Sequence, residues 1–431
     1  MSLRSMVFAL ALLPALSAPA AAQDVLIRGA TVHTATAQGT LVNSDVLVRD
    51  GKIAAIGANL AAQGVEVVDA GGLPLTPTLF GGITGIGLEE VSSEAFTRDA
   101  ALALGATAKD VVVRPEFDVS LAYNPDSILV PVARVEGIGF TLLTANATPG
   151  GSIIGGQGAV VRLDGDPDPI GPKVLFASLG GSASELAGVS RAGQWMLLDQ
   201  LVSELRGGMP AEMAHLTPAG RDALKRYIDG GGRIVFDVNR AADIRQLLRW
   251  AGKHRLSIAL SGGAEAWKLA PQLASAGVPV FLDSLVGLPS DFDQIHAALE
   301  NAARLRAAGV AVGFNPSGDA SHNARKNRQL AGNAVAHGLP WEDALAGLTR
   351  VPAETFGVAD RIGSIAIGRS ADLVLWTGDP LDVAHTARQV WMAGRTIPMR
   401  SRQSDLRDRY LRPEPNSERG VLPRAYSVPA R

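Results

Sequence analysis

The sequence predicts an α/β protein, with a barrel of strands and helices in mid-chain and a small β domain built from both chain ends. Two observations predict it. Residues 77–352 alternate short apolar runs with amphipathic helical patterns, the rhythm of repeated strand–helix units. On either side, residues 23–76 and 353–400 read as short alternating strands broken by turns. With 431 residues, of which 47% are hydrophobic, the chain can bury a large core.

In chain order, "MSLRSMVFALALLPALSAPAAAQD" has a basic Arg4, an apolar run from Met6 to Leu16, and small residues at Ala20, Ala21 and Ala22. That three-part layout predicts a signal peptide over residues 1–22, cleaved after Ala22, and a periplasmic or secreted protein. The apolar run is too short to span a bilayer, so no membrane insertion is expected after cleavage. "DVLIRGATVHT", "NSDVLVRDGKIAAIG" and "VEVVDAGG" supply the first strands, with a turn at Asp50–Gly51.

The barrel begins with "PTLFGGITGIGLEEV", an apolar strand with an acidic exit. Later strands are expected at 139–143, 174–177, 233–238, 257–260, 278–282 and 310–313. Between them, "TPAGRDALKRYIDGGG" starts a helix with Thr217 as cap and Pro218 in its first turn. "SDFDQIHAALENAARLRAAG" predicts another, from Ser290 to Gly309. "RIGSIAIGRSADLVLWTGDP" and "ARQVWMAGRTI" return to strands, and residues 401–431, rich in Arg, Pro and Ser, read as an extended tail.

Composition excludes several functions. A formal charge of −2 leaves no electrostatic footprint for nucleic acid. The absence of cysteine removes disulfides, thiolate catalysis and zinc–thiolate sites. No two of the seven histidines lie closer than fifteen residues, so no H-x-H or H-x₃-H ligand pair exists. The glycine-rich "TPGGSIIGGQG" lacks a P-loop ending and reads as an extended loop near the barrel mouth. Glu89, Glu90 and Glu94 offer carboxylates after the first strand, though a solvated acidic loop explains them more simply. Ser317, Asp319, Ser321 and His322 are too close in sequence to form a nucleophilic triad.

Several stretches resemble the amidohydrolase superfamily, specifically its imidazolonepropionase-like exported branch. They include "DVLIRGATVHT", "DVLVRDGKIAAIG", "GGSIIGGQGAVVRL" and "NRAADIRQLLRWAGKHRLSIALSGGAEAWKLAPQLASAGVPV". The most specific is "AVAHGLPWEDALAGLTRVPAETFGVADRIGSIAIGRSADLVLWTGDPL", where helix, Thr–Arg–Val–Pro–Ala turn and returning strand follow in the family's order. The resemblance implies a (β/α)₈ TIM barrel plus a small composite β-sandwich domain. It also implies hydrolysis of non-peptide C–N bonds by water activated on one or two divalent metals at the C-terminal ends of the strands.

Residue by residue, the resemblance puts metal ligands at Ile83 and Gly85 on the first strand, at Asp237, at Gly262 and at Asn315, with Asn239 at a second polar position after Asp237. Ile83, Gly85 and Gly262 have no donor side chain. Asp319, four residues past Asn315, takes the catalytic aspartate's role only with a gap in the register. Asp237 and Asp319 are therefore the catalytic candidates, and Asn239, Arg240, Glu265 and His322 the substrate-binding ones. Simpler roles compete: Asp237 pairing with Arg240, Asn239 holding loop backbone, Asp319 capping the helix near Ser321. No cofactor is expected, and a divalent metal such as zinc enters only if oxygen ligands rebuild the site. Two readings stay open. One is a hydrolase with altered metal chemistry. The other is a non-catalytic barrel that binds a small ligand, or pairs with itself or an active amidohydrolase subunit.

Overall fold

The computed structural model describes residues 23–61, 63–107, 109–207, 213–318 and 320–411. The predicted signal peptide, Asp319 and the last part of the tail lie outside them. Five N-terminal strands open the chain: β1 (Val25–His33), β2 (Thr40–Arg49), β3 (Lys52–Gly57), β4 (Glu66–Asp69) and β5 (Pro74–Pro77). Eight more build the middle: β6 (Leu79–Thr84), β7 (Ile138–Leu143), β8 (Ile154–Arg162), β9 (Ile170–Ser178), β10 (Arg233–Val238), β11 (Ser257–Gly262), β12 (Val280–Leu282) and β13 (Val312–Phe314). The last three are β14 (Leu373–Trp376), β15 (Ala387–Met392) and β16 (Arg395–Thr396).

Strands from the two chain ends share one sheet, in the order β16-β15-β14-β5-β1-β2-β3, with β4 pairing β1. The join is the antiparallel pairing of β14 with β5. This domain has its own core, around Ile27, Val46, Leu75, Leu373 and Trp391. Arg328, from the helix Asn327–Ala336, fastens it to the barrel. The guanidinium donates to the carbonyls of Pro380, Asp382 and His385 and lies 5.0 Å from the centre of the Trp376 ring.

The middle strands form a second sheet, ordered β6 to β13, that curls into a nearly closed barrel. Its strands fall where buried apolar runs placed them, with one exception. The glycine-rich stretch expected as a loop contributes β8, almost wholly buried and antiparallel to both β7 and β9. A Cβ at Gly155 would run into the Ala145 carbonyl, and one at Gly158 into that of Leu143. Glycine lets the strands approach, and it also hid the strand from propensity. Short connections on both sides of β8 leave no room for a crossover helix, so its direction must reverse. The barrel therefore departs from eight parallel βα units.

Barrel closure is also irregular. No ladder joins β6 to β13. Pairing of β6 with β7 shifts register between Phe80 and Ile83, and Gly82 sits at φ +104°, so β6 is bulged where its other edge would pair. Side chains span the gap instead. Asn315 Oδ1 accepts from the Ile83 N–H at 2.8 Å, and Ser321 Oγ from the Gly85 N–H at 2.9 Å. Asn327, 1% exposed, donates through Nδ2 to the carbonyls of both Phe80 and Phe314, at 2.9 and 3.1 Å.

Thr217 caps the helix Pro218–Ile228, its Oγ1 accepting from the Gly220 N–H at 2.9 Å, as its sequence predicts. The helix expected from Ser290 forms only over Asn301–Ala307. Asp293 is drawn instead onto Arg191 and the Gly181 N–H, while the His296 N–H donates to Glu265. These long-range bonds hold 290–300 in turns. The tail likewise differs from an extended arm at its start, where Ser401 caps a helix over Arg402–Tyr410. Among the described residues no helix is long and apolar enough to cross a membrane.

Candidate functional site

A cavity of about 460 Å³ opens at the C-terminal ends of the barrel strands. Residues at or just past the ends of several strands line this space. Ile83 and Thr84 come from β6 and Gly85 follows it; Phe176 and Ser178 come from β9, Asp237 from β10, and Ser261 and Gly262 from β11. Asn239, Asp283 and Asn315 arrive just past their strands. Hence the five positions to which the resemblance assigned absent ligands, Ile83, Gly85, Asp237, Gly262 and Asn315, meet around one space.

Their chemistry is that of oxygen and amide groups. Asp237 faces the cavity from its floor, open to the space in front and walled by protein behind. Loss of bulk water there pushes its carboxyl up to about 6. No hydrogen bond or ion pair reaches that carboxylate from the described residues. Arg240, its expected partner, folds back over the first turn of the helix Ala241–His254 and grips Asp243 with two bonds of 3.1 and 2.9 Å. Asn239 Oδ1 accepts from the Ala264 N–H at 3.2 Å, the backbone-holding role anticipated for it, while its side chain still borders the cavity. Asn315 is engaged in closing the barrel seam, and its Nδ2 donates to Ser261 Oγ at 3.3 Å.

Other candidates fall outside the cavity wall. Glu265, 3% exposed, accepts from the Ala241 N–H at the start of a helix and from the His296 N–H, both at 3.0 Å. Its carboxylate is a structural clamp, not a substrate contact. His322 Nε2 donates to the Glu90 carbonyl at 3.3 Å, and its ring does not line the cavity. Sequence reasoning missed Asp283, Asn146, Gln294 and Ser178, which do line it. Asp283 was findable: it is the first residue beyond a strand already expected to end at 282, where barrel proteins carry their sites. Its carboxylate accepts from Ser317 N–H and Oγ at 3.0 and 2.6 Å and from the Leu285 N–H at 2.9 Å.

The sequence of residues 205–398 matches the amidohydrolase family. That match covers under half of the chain. The chain is 39% identical over 84 residues to imidazolonepropionase from Acidiphilium cryptum, a stretch covering 19% of this chain and 20% of that one. Against imidazolonepropionase from Stenotrophomonas maltophilia it is 30% identical over 163 residues, 36% of this chain and 40% of the other. The matched stretches thus span well under two thirds of these relatives. An amidohydrolase from Thermotoga maritima has a similar fold, with a TM-score of 0.75 at 24% identity, over 87% of this chain and 100% of that one.

A divalent metal is what this family implies, and the donor set does not fit one. Among the described residues no imidazole lines the cavity, and no three His, Asp or Glu side chains converge as a metal site. Ile83, Gly85 and Gly262 offer no donor atom. Asn315 carries an amide where the resemblance expects a carboxylate, and an amide cannot take up a proton from water. Nor is there simple room to restore a ligand at 262: Gly262 holds φ +86°, and a Cβ there would lie 2.6 Å from Asn239 Oδ1.

Proposed function

We propose that this chain is an exported amidohydrolase-fold protein that binds a small ligand in its barrel cavity and has given up metal-dependent hydrolysis of C–N bonds. One observation carries the reading. The five positions at which a metal centre would be anchored surround a single cavity, and they hold Ile, Gly, Asp, Gly and Asn. A site that had lost one ligand could be repaired by a neighbour. Here three positions lack any donor, and the amide at a fourth is committed to the barrel seam. The space itself is about 460 Å³, a size typical of small-molecule sites. Its lining includes the polar side chains of Asp237, Asn239, Asp283, Ser178 and Asn146. Fold alone does not assign activity, so the site decides.

The test is metal content and hydrolysis together. Protein purified from cells grown with zinc and manganese should hold well under one equivalent of either metal. It should also leave N-acyl amino acids, dipeptides and cyclic amides intact. One or more equivalents of metal, lost together with hydrolysis in Asp237→Ala, would establish a rebuilt catalytic centre and overturn the proposal.

A further inference from the structure

Resting on that reading of the cavity as a ligand site, we propose that its ligand is a small organic cation, an amine or guanidine drawn to an acidic wall to which Asp237 and Glu89 both contribute. The charge balance of the wall leads there. Glu89, Asp237 and Asp283 line the cavity, and no Lys, Arg or His does so among the described residues. Asp283 is already satisfied by Ser317 and Leu285. The carboxylates of Asp237 and Glu89 are not: neither receives a hydrogen bond or an ion pair from the described residues. Carboxylates that face the cavity without a protein partner keep their acceptor oxygens available, and an arriving cation can form charge-assisted hydrogen bonds with them.

The two glycines at former ligand positions give these acids their access. A Cβ at Gly85 would meet the Glu89 carboxyl carbon at 3.5 Å, and one at Gly262 would meet Asp237 Oδ1 at 3.2 Å. Both acids therefore border space that a larger side chain would claim. An anion would find no Lys, Arg or His on this wall among the described residues, and a neutral ligand would leave both carboxylates uncompensated. A bare inorganic cation is disfavoured by the layout, because the acids do not converge as a group of three. Carboxylates spread around about 460 Å³ and interspersed with amide and hydroxyl oxygens suit a molecule with several N–H donors.

The experiment is calorimetric titration of the full chain with agmatine, cadaverine and benzylamine, against n-butylurea, glutarate and calcium chloride. Expected are binding by at least one of the three amines, none by glutarate, and about tenfold weakening on Asp237→Asn or at high salt. Glu89→Gln, at the rim of the same space, should weaken the same amine independently, which guards against a folding defect in the first variant. Failure of all three amines, equal affinity for butylurea or glutarate, or binding unchanged in both variants would overturn the inference. A neutral or anionic ligand bound without hydrolysis would overturn this inference and leave the ligand-binding reading standing. Metal-dependent hydrolysis would overturn that reading instead, and KM for cationic against neutral substrates would still decide this one.

Discussion

Replacing Asp237 by Asn should make the unliganded protein more stable at neutral pH. The folded carboxyl titrates at about 6 instead of near 3.8, because protein replaces water around it and supplies no cation. The sign follows from linkage. Below about pH 4 the group is protonated in both folded and unfolded chains and costs nothing. As pH rises from about 4 to 6 the unfolded chain releases the proton first, so stability falls; above about 6 the full penalty persists. Felt in full, the difference would be worth about 3 kcal/mol. Water reaching the carboxylate through the cavity screens it, leaving on the order of 1 kcal/mol. Urea unfolding of wild type and Asp237→Asn at pH 4 and pH 8 measures this directly. The variant should gain at pH 8 and match wild type at pH 4. A loss at pH 8 would mean that Asp237 is held by a bound cation or metal, and an equal gain at both pH values would mean that its charge is irrelevant.

Other substitutions probe the frame around the cavity. Gly262→Ala forces a side chain into the left-handed region against Asn239, and should cost about 2–4 kcal/mol in chemical unfolding; a neutral result would remove the steric objection to a ligand there. Asn327→Ala strips the buried bridge between Phe80 and Phe314 and should cost about 2–3 kcal/mol, with faster amide exchange along β6 and β13; unchanged exchange would show the seam is closed by other means. Glu265→Gln exchanges an acceptor for a donor facing the Ala241 and His296 N–H groups. It should lower stability by about 1–2 kcal/mol and speed exchange over residues 290–300, and an effect on amine affinity alone would contradict its clamping role.

Much of the barrel was legible because buried strands read as apolar runs and helices announce themselves through caps. β10 and β11 begin where their runs begin, and Thr217 caps as expected. β8 was not legible, since three glycines look like a loop until two neighbouring strands are seen to need the room. The helix from Ser290 failed for the opposite reason: its local pattern was sound, and Asp293 found stronger partners 102 and 112 residues away.

The sequence by itself determined what the cavity lacks. The resemblance places the family's ligand positions at Ile83, Gly85 and Gly262, and the residues standing there show without coordinates that those donors are missing. Tertiary structure alone decided what remains. Arg240 turns to Asp243 and leaves Asp237 without a partner among the described residues, Glu265 is spent on backbone N–H groups, Asn315 bridges the seam, and Asp283 joins the wall. Each of these choices is a competition among polar partners brought together from distant segments. A linear sequence names the competitors but does not place them within reach of one another.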